Sequence, residues 1–450
     1  MRLRLLPLVF LAAPLAAQQP VADRYRDVAN KIIDAALADS SVAWNRLAAF
    51  VDYSGPRLSG SANLERGIDW MLAEMKKDGL ANVRGEPVMV PHWVRGRESI
   101  TMRLPREADV PMLGLGGSVA TPADGITAEV LVVRNFDDLS AHAAEAKGKI
   151  VLFDVPFTNY GATVQYRSRG AIAAAKLGAV ASLIRAVGPW GLRLPHTGAM
   201  QYDSTVTRIP AAAIPLEDAT MLHRMQDRGQ EIVLTIRMEA QTLPDAPSRN
   251  AMGELVGRER PQEIIAMGGH SDSWDVGLGA MDDAGGIVVA WEAVKLLKRL
   301  GLTPRRTIRV VGWVNEENGG RGGSAYRDAH RNEPHSLLME SDAGVFAPQG
   351  WGFTGSDSAR VIIKQIGTLL ARIGGGTIGA SGGGADIGPL MATGVPGMGL
   401  DVDGSTYFVY HHTPADTPDK LSPADMQKCV AMFAVMAYIV ADLPEMLPRP

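Results

Sequence analysis

Residues 259–317 read ERPQEIIAMGGHSDSWDVGLGAMDDAGGIVVAWEAVKLLKRLGLTPRRTIRVVGWVNEE, and this stretch sets the fold class. EIIAMGG is a short apolar run of the kind a buried strand requires, and a glycine-rich loop follows it. DDAGGIVVAWEAVKLLKRLGL has the length of a long helix, and RRTIRVVGWV returns as a second strand. Strands alternating with long helices predict an α/β architecture, with sites gathered at the carboxyl ends of the strands. The polar residues fall at those ends. His270 and Asp272 leave the first strand, Asp282 and Asp283 stand at the helix start, and Glu316 and Glu317 leave the second strand. Two adjacent acids at the end of a buried strand are costly unless positive charge meets them.

The same grammar extends toward the C-terminus. SLLME is a further apolar run and delivers Asp342; the nearby Glu340 reads as structural. SDSARVIIKQIGTLLARIG reads as a helix. YFVYHHTPADTPDKL supplies His411, His412 and Asp416. In the closing helix, SPADMQKCVAMFAVMAYIVADL, Ser422 is the expected N-cap and Pro423 the first helical residue. Its Cys429 is the only cysteine, so no intrachain disulfide forms, and its apolar neighbours make it a core residue.

Toward the N-terminus, residues 21–53 are helical in pattern. GPRLSGS is a loop before an amphipathic helix that carries Ile68, Met71, Leu72 and Met75 and stops at Gly79. VRGEPVMVPHWVRGRESITMRL is strand-like. From 110 to 243 the texture changes to short strands (EVLVVRNF, KIVLFDV, ASLIRAV, AAAIPL, EIVLTIRM). The helical pieces AHAAEAKG, SRGAIAAAKLGA and LEDATMLHRMQDRG lie between them. We expect a main domain built from 18–109 and 244–450, interrupted by a smaller α/β unit over 110–243.

Residues 1–17 combine Arg2 and Arg4 with the apolar run Leu5–Ala17, the pattern of a secretory signal peptide. The chain is therefore expected to be exported, to a periplasm or the external medium. Pro7, Pro14 and the short length argue against a membrane span, and no stable membrane insertion is expected. A net charge of −4 on 450 residues leaves no footprint for nucleic acid. The GGGTIG at 374–379 follows a helix rather than a strand, so it is not a dinucleotide loop.

Taken singly, each polar cluster has an ordinary reading. Asp282–Asp283 can cap a helix, Glu316–Glu317 can be exposed turn acids, and a His pair before a turn is weak. Together, four strand ends present imidazoles and carboxylates without a thiolate. That donor set suits a hydrolytic centre of two divalent metals, zinc first, with cobalt or manganese also compatible. Asp272 is placed to orient the His270 ring as an acceptor.

In order, HSD, GAMDDAGG, NEENGG, ESDAG and HHTPADT resemble peptidase family M28, the co-catalytic di-zinc aminopeptidases. GGHSDSWD and ESDAGVFAP resemble in particular its carboxypeptidase Q branch. The resemblance covers the mature chain apart from the 110–243 unit, which resembles a protease-associated (PA) domain. It implies a mixed, largely parallel sheet flanked by helices. It implies that His270 and Asp342 bind one metal, Glu317 and His412 the other, and that Asp282 bridges them. Glu316 would be the general base, Asp272 would orient His270, and the Asp282–Asp283 peptide would be cis. The HTxxDT pattern favours His412 over His411, with Asp416 as its support. Asp386 is a candidate for the substrate end of the site, and Trp274, Tyr407 and Tyr410 for the lining, although core packing explains them equally. Arg321 could meet a substrate carboxylate or simply be exposed. The implied activity is hydrolysis of dipeptides or short peptides, as an aminopeptidase or dipeptidase, with glutamate-releasing carboxypeptidase action as the variant; relatives in this branch imply a homodimer. A one-zinc glutaminyl cyclase or a non-catalytic receptor shares the scaffold, but the full ligand set argues against both.

Overall fold

The computed structural model describes residues 20–449, and the expected signal segment lies outside them. Two eight-stranded sheets organise the chain. The first runs in the order 81–94, 241–255, 306–313, 260–270, 335–340, 397–402, 348–354, 377–379. Its four middle strands, Arg306–Trp313, Arg260–His270, His335–Glu340 and Gly397–Val402, are parallel. Strands on both sides of them pair antiparallel, which gives the mixed, largely parallel sheet expected.

The strand Arg306–Trp313 is buried along its whole length, as parallel strands covered on both faces must be. On one face pack the helices Val21–Leu37, Val42–Ser54, Gly285–Arg299, Asp357–Leu370 and Pro423–Asp442. Pro423–Asp442 is apolar and long enough to suit a bilayer by composition, but it lies mostly inside this core. Ser422 caps it by accepting from Asp425 N, and Cys429 is buried within it. The opposite face is covered by Arg321–His330 and the short turn around Leu390, which pack Tyr326, Ile387 and Leu390 on Trp313.

The second sheet, in the order 108–110, 98–104, 233–238, 126–133, 150–153, 181–185, 211–214, 113–114, has its own cores on its two faces. Its membership moves the expected boundaries. Glu98–Leu104 pairs with Val233–Met238 and belongs to the inserted unit. Gln241 already pairs with Val94 in the first sheet. The unit thus spans 98–238, rather than 110–243. The helix expected at AHAAEAKG forms earlier, at Phe136–Ala141, because the Asn135 side chain accepts from Asp138 N and fixes the helix start there.

Candidate active site

The parallel register brings the expected residues together. His270 lies beside Trp313 and Gly268 beside Glu340, so three strands end at one level. His270 is the last residue of its strand, Glu316 and Glu317 follow Trp313 closely, and Asp342 lies two residues past Glu340. The fourth parallel strand, Gly397–Val402, leads to Tyr407–Tyr410 and then His411–His412.

Asp282 is the centre of the cluster. Its Oδ1 lies 3.1 Å from His270 Nε2, and its Oδ2 lies 3.3 Å from His412 Nε2. Asp342 approaches His270 Nε2 at 3.3 Å, and Glu317 approaches His412 Nε2 at 3.0 Å. His411 also reaches Asp282 Oδ2, at 3.5 Å, and its ring stacks on His412 with centroids 3.5 Å apart. Glu317, at hydrogen-bond distance from His412, singles that histidine out. The Asp282–Asp283 peptide is cis, as expected. Asp283 takes the structural part: its carboxylate accepts from His270 N at 3.2 Å and Gly286 N at 3.1 Å. Gly269 makes room for it, since a Cβ there would overlap the Asp283 carboxylate.

Two support roles differ from expectation. The ring Nδ1 of His270 meets the main-chain oxygen of Asp272 at 3.0 Å, while the nearer Asp272 carboxylate oxygen is 3.8 Å away. That carboxylate instead accepts from Glu316 N at 3.1 Å, Glu317 N at 3.3 Å and Ser59 Oγ at 3.2 Å. Asp272 thus holds the backbone of the glutamate pair. Asp416 does not support His412. Its carboxylate accepts from Ala280 N, Met281 N and Asp282 N at 3.0, 2.8 and 3.3 Å, fixing the Asp282 turn. The partner of His412 Nδ1 is the carbonyl of Thr197, 3.2 Å away in the inserted unit.

The donors lie in a cleft of about 280 Å³, lined by Asp282, Glu316, Glu317, Asp342, Tyr407, Phe408, His411 and His412, and by Tyr160 and Arg167 of the inserted unit. Tyr407 therefore lines it, whereas Trp274 and Tyr410 do not. Trp274 is buried against His412, and Tyr410 lies under the Lys420 ammonium. Arg321 is half-buried, away from the cleft, and paired with Asp245. Asp386 is buried outside the cleft, and neither of its oxygens has a partner. Glu340 accepts from Ile387 N at 2.9 Å, a structural role.

Carboxylates outnumber imidazoles here, and the titration directions follow. Burial pulls the His270 imidazole down, but Asp282 and Asp342 outweigh it and hold the ring well above its ordinary value. His412, also buried, is pushed up to about 10 by Glu317 and Asp282. Burial and the neighbouring acids hold Glu316 well above the usual carboxylate range. The site therefore draws in positive charge. Asp282 Oδ2 and Glu317 Oε1 are buried without a hydrogen-bond donor. His270, Asp282 and Asp342 present ligand atoms within 4.8 Å of one another, as do Asp282, His411 and His412. Two hard-to-borderline divalent cations sharing Asp282 fit this donor set.

Sequence reasoning missed Arg57, Arg167 and Thr197. Arg57 is buried, and its guanidinium donates to the carbonyls of Ser271 at 3.0 Å, Leu278 at 2.7 Å and Gly279 at 3.0 Å. It thereby clamps the loop between His270 and Asp282. The loop GPRLSGS offered a signal, an arginine between turn residues; Arg167 sits mid-helix and Thr197 acts through its backbone, so neither had one.

Residues 250–437 match the model of peptidase family M28. Carboxypeptidase Q of Bos taurus is 49% identical, over 94% of this chain and 91% of that protein. Carboxypeptidase Q of Homo sapiens is 47% identical, over 94% and 90%. Among solved structures, a peptidase M28 precursor from Shewanella amazonensis superposes with a TM-score of 0.92 at 35% identity, covering 95% of this chain and 99% of that one. A zinc aminopeptidase from Bacillus subtilis shares the fold, with a TM-score of 0.67 at 21% identity over 89% and 94%. The chain belongs to peptidase family M28, among the relatives of carboxypeptidase Q, and is a metallo-exopeptidase.

Proposed function

We propose that this is an exported di-zinc exopeptidase for dipeptides and very short peptides with both ends free. In this reading His270 and Asp342 hold one zinc, Glu317 and His412 the other, and Asp282 both. Zinc bound there would polarise the scissile carbonyl and acidify the attacking water. Glu316 would take that water's proton on its carboxylate and return it to the leaving amine. The backbone N–H groups of Glu316 and Glu317, held by Asp272, keep the two carboxylates on separate tasks. Export is supported by the N-terminal pattern of residues 1–17. The inserted 98–238 unit is read as a PA-type domain from its place in the chain and its small α/β sheet. A homodimer belongs to the same reading.

One observation carries the preference for short peptides. Arg167 lines the cleft with the carboxylates and is only 7% exposed. Its guanidinium donates to the Tyr160 hydroxyl at 2.8 Å, its Nε has no partner, and among the described residues no carboxylate pairs with it. A buried guanidinium without a counter-charge is costly, and a planar fork matches a carboxylate. A substrate's C-terminal carboxylate would supply that charge, while the inserted unit closes the cleft beyond it.

The test compares a dipeptide with its C-terminal amide. Wild-type enzyme should favour the free acid, and Arg167→Met should lower kcat/KM on the acid roughly 10- to 100-fold more than on the amide, the worth of a charged hydrogen bond. Equal turnover of acid and amide by the wild type would refute the carboxylate reading.

A further inference from the structure

We infer that the inserted unit is part of the metal cradle: Thr197 clamps His412 from two sides, and Arg95 is the positioning residue that locks Thr197 in place. The inference rests on the reading of His412 as a zinc ligand through Nε2.

His412 is a non-glycine residue with φ of 61°, a conformation that its surroundings must hold. Two hydrogen bonds from one residue of the other unit do so. Thr197 N donates to the His412 carbonyl at 3.0 Å, and His412 Nδ1 donates to the Thr197 carbonyl at 3.2 Å. The second bond places the ring proton on Nδ1 and leaves the Nε2 lone pair toward Asp282 and Glu317. A metal-binding imidazole needs that tautomer, and a carbonyl acceptor on the far nitrogen enforces it. Arg167 Nη1 lies 3.4 Å from both the Thr197 oxygen and His412 Nδ1. As a donor it can bond only the oxygen, so it reinforces the same acceptor.

Thr197 is itself fixed by its hydroxyl, which donates to Gly114 O at 2.8 Å and accepts from Arg95 Nη2 at 3.3 Å. Arg95 stands where the chain crosses from the first sheet to the second. Its guanidinium forks onto Asp275 at 2.8 and 2.6 Å, and Asp275 belongs to the loop between His270 and Asp282. Arg95 Nη1 also donates to Gly114 O at 2.5 Å. One buried arginine thus ties the loop of the Asp282 side to the strip of the inserted unit that holds His412. The unit therefore does more than roof the cleft. It sets the geometry of one of the two metal positions and leaves the other, at His270 and Asp342, to the main sheet.

The experiment titrates the full-length protein with zinc alone against a chelator of known affinity, with cobalt absorption as a geometric readout. Arg95→Met should weaken one of the two zinc sites about 10- to 100-fold, the usual effect of removing an outer partner of a metal histidine, and leave the other within about threefold. The cobalt spectrum of the weakened site should shift. Thr197→Val, which keeps shape and loses the hydroxyl, should act in the same direction more mildly, and serves if Arg95→Met does not fold. Two unchanged sites in a folded variant, or equal weakening of both, would overturn the clamp. His412→Ala separates the underlying reading: it should abolish one zinc site, and two wild-type zinc affinities in that variant would overturn the ligand assignment itself.

Discussion

At the residue scale, the site turns neighbouring acids to different ends. Glu316 and Glu317 leave one strand together, yet only Glu317 pairs with His412, while Glu316 faces the cleft. The difference makes Glu316→Gln a clean substitution. It keeps the shape, and the variant should still bind two zinc ions, while kcat falls about 10²- to 10⁴-fold as expected for loss of a general base. A zinc-loaded variant with undiminished turnover would remove Glu316 from that role. The donor residues were legible from the sequence because His270, Glu317 and Asp342 stand at or just past strand ends, and Asp282 and His412 lie in polar clusters in the loops those strands lead to. Their supports were not. Asp416 follows His412 closely in the chain, yet it is drawn to the N–H groups of Ala280, Met281 and Asp282, which the turn leaves without partners. Asp272 likewise orients His270 with its carbonyl, and a main-chain oxygen has no sequence signature.

At the element scale, strands and helices of the main sheet were readable from apolar runs, but sheet membership was not. Glu98–Leu104 looks like a continuation of Ala81–Val94, and its burial pattern is no guide, because pairing with Val233–Met238 decides where it lies. The helix Arg321–His330, which leads away from the Glu316–Glu317 turn, shows how such elements are anchored. At its end His330 Nε2 meets Glu86 at 2.8 Å and Nδ1 meets Glu333 at 3.0 Å, with Arg309 and the Tyr326 ring against it. Burial pulls the imidazole down, but the two carboxylates outweigh it and raise its pKa. Despite its partial burial, Glu333 is lowered to about 2 by His330 and Arg309. A raised histidine stabilises the fold fully below its unfolded pKa of about 6.5 and loses that contribution as pH rises through its folded value. The carboxylate side is lost only in strong acid. The Tm difference between wild type and His330→Gln should therefore be largest near neutral-to-acidic pH and shrink as pH rises above about 6.5. A difference that stays flat across that range would show that the ion pairs carry no stability.

At the scale of the whole molecule, two separately cored units meet at the cleft and both line it. The chain crosses between them at 95–97 and 239–240, and each crossing is short. Across the interface Tyr160 stacks on Phe408 with centroids 5.0 Å apart, and Trp274 fills the space between His412 and Gly116. Gly116 has no side chain because the indole occupies the room: a Cβ there would overlap Trp274. Gly116→Val is thus a wedge between the units rather than damage to either core, and overpacking of this kind costs about 1–3 kcal/mol. The variant should lose activity on short peptides, bind zinc more weakly on the His412 side, and be cleaved faster by added protease at 95–97 and 239–240. Truncating the obstructing ring should reverse much of this, so Gly116→Val combined with Trp274→Ala should regain protease resistance relative to Gly116→Val alone. If Gly116→Val left both the cleavage rate and the zinc affinity at wild-type values, the two units would not be coupled through this contact, and closure of the cleft would rest on the Arg95 fork, the Thr197–His412 hydrogen bonds and the Phe408 stack.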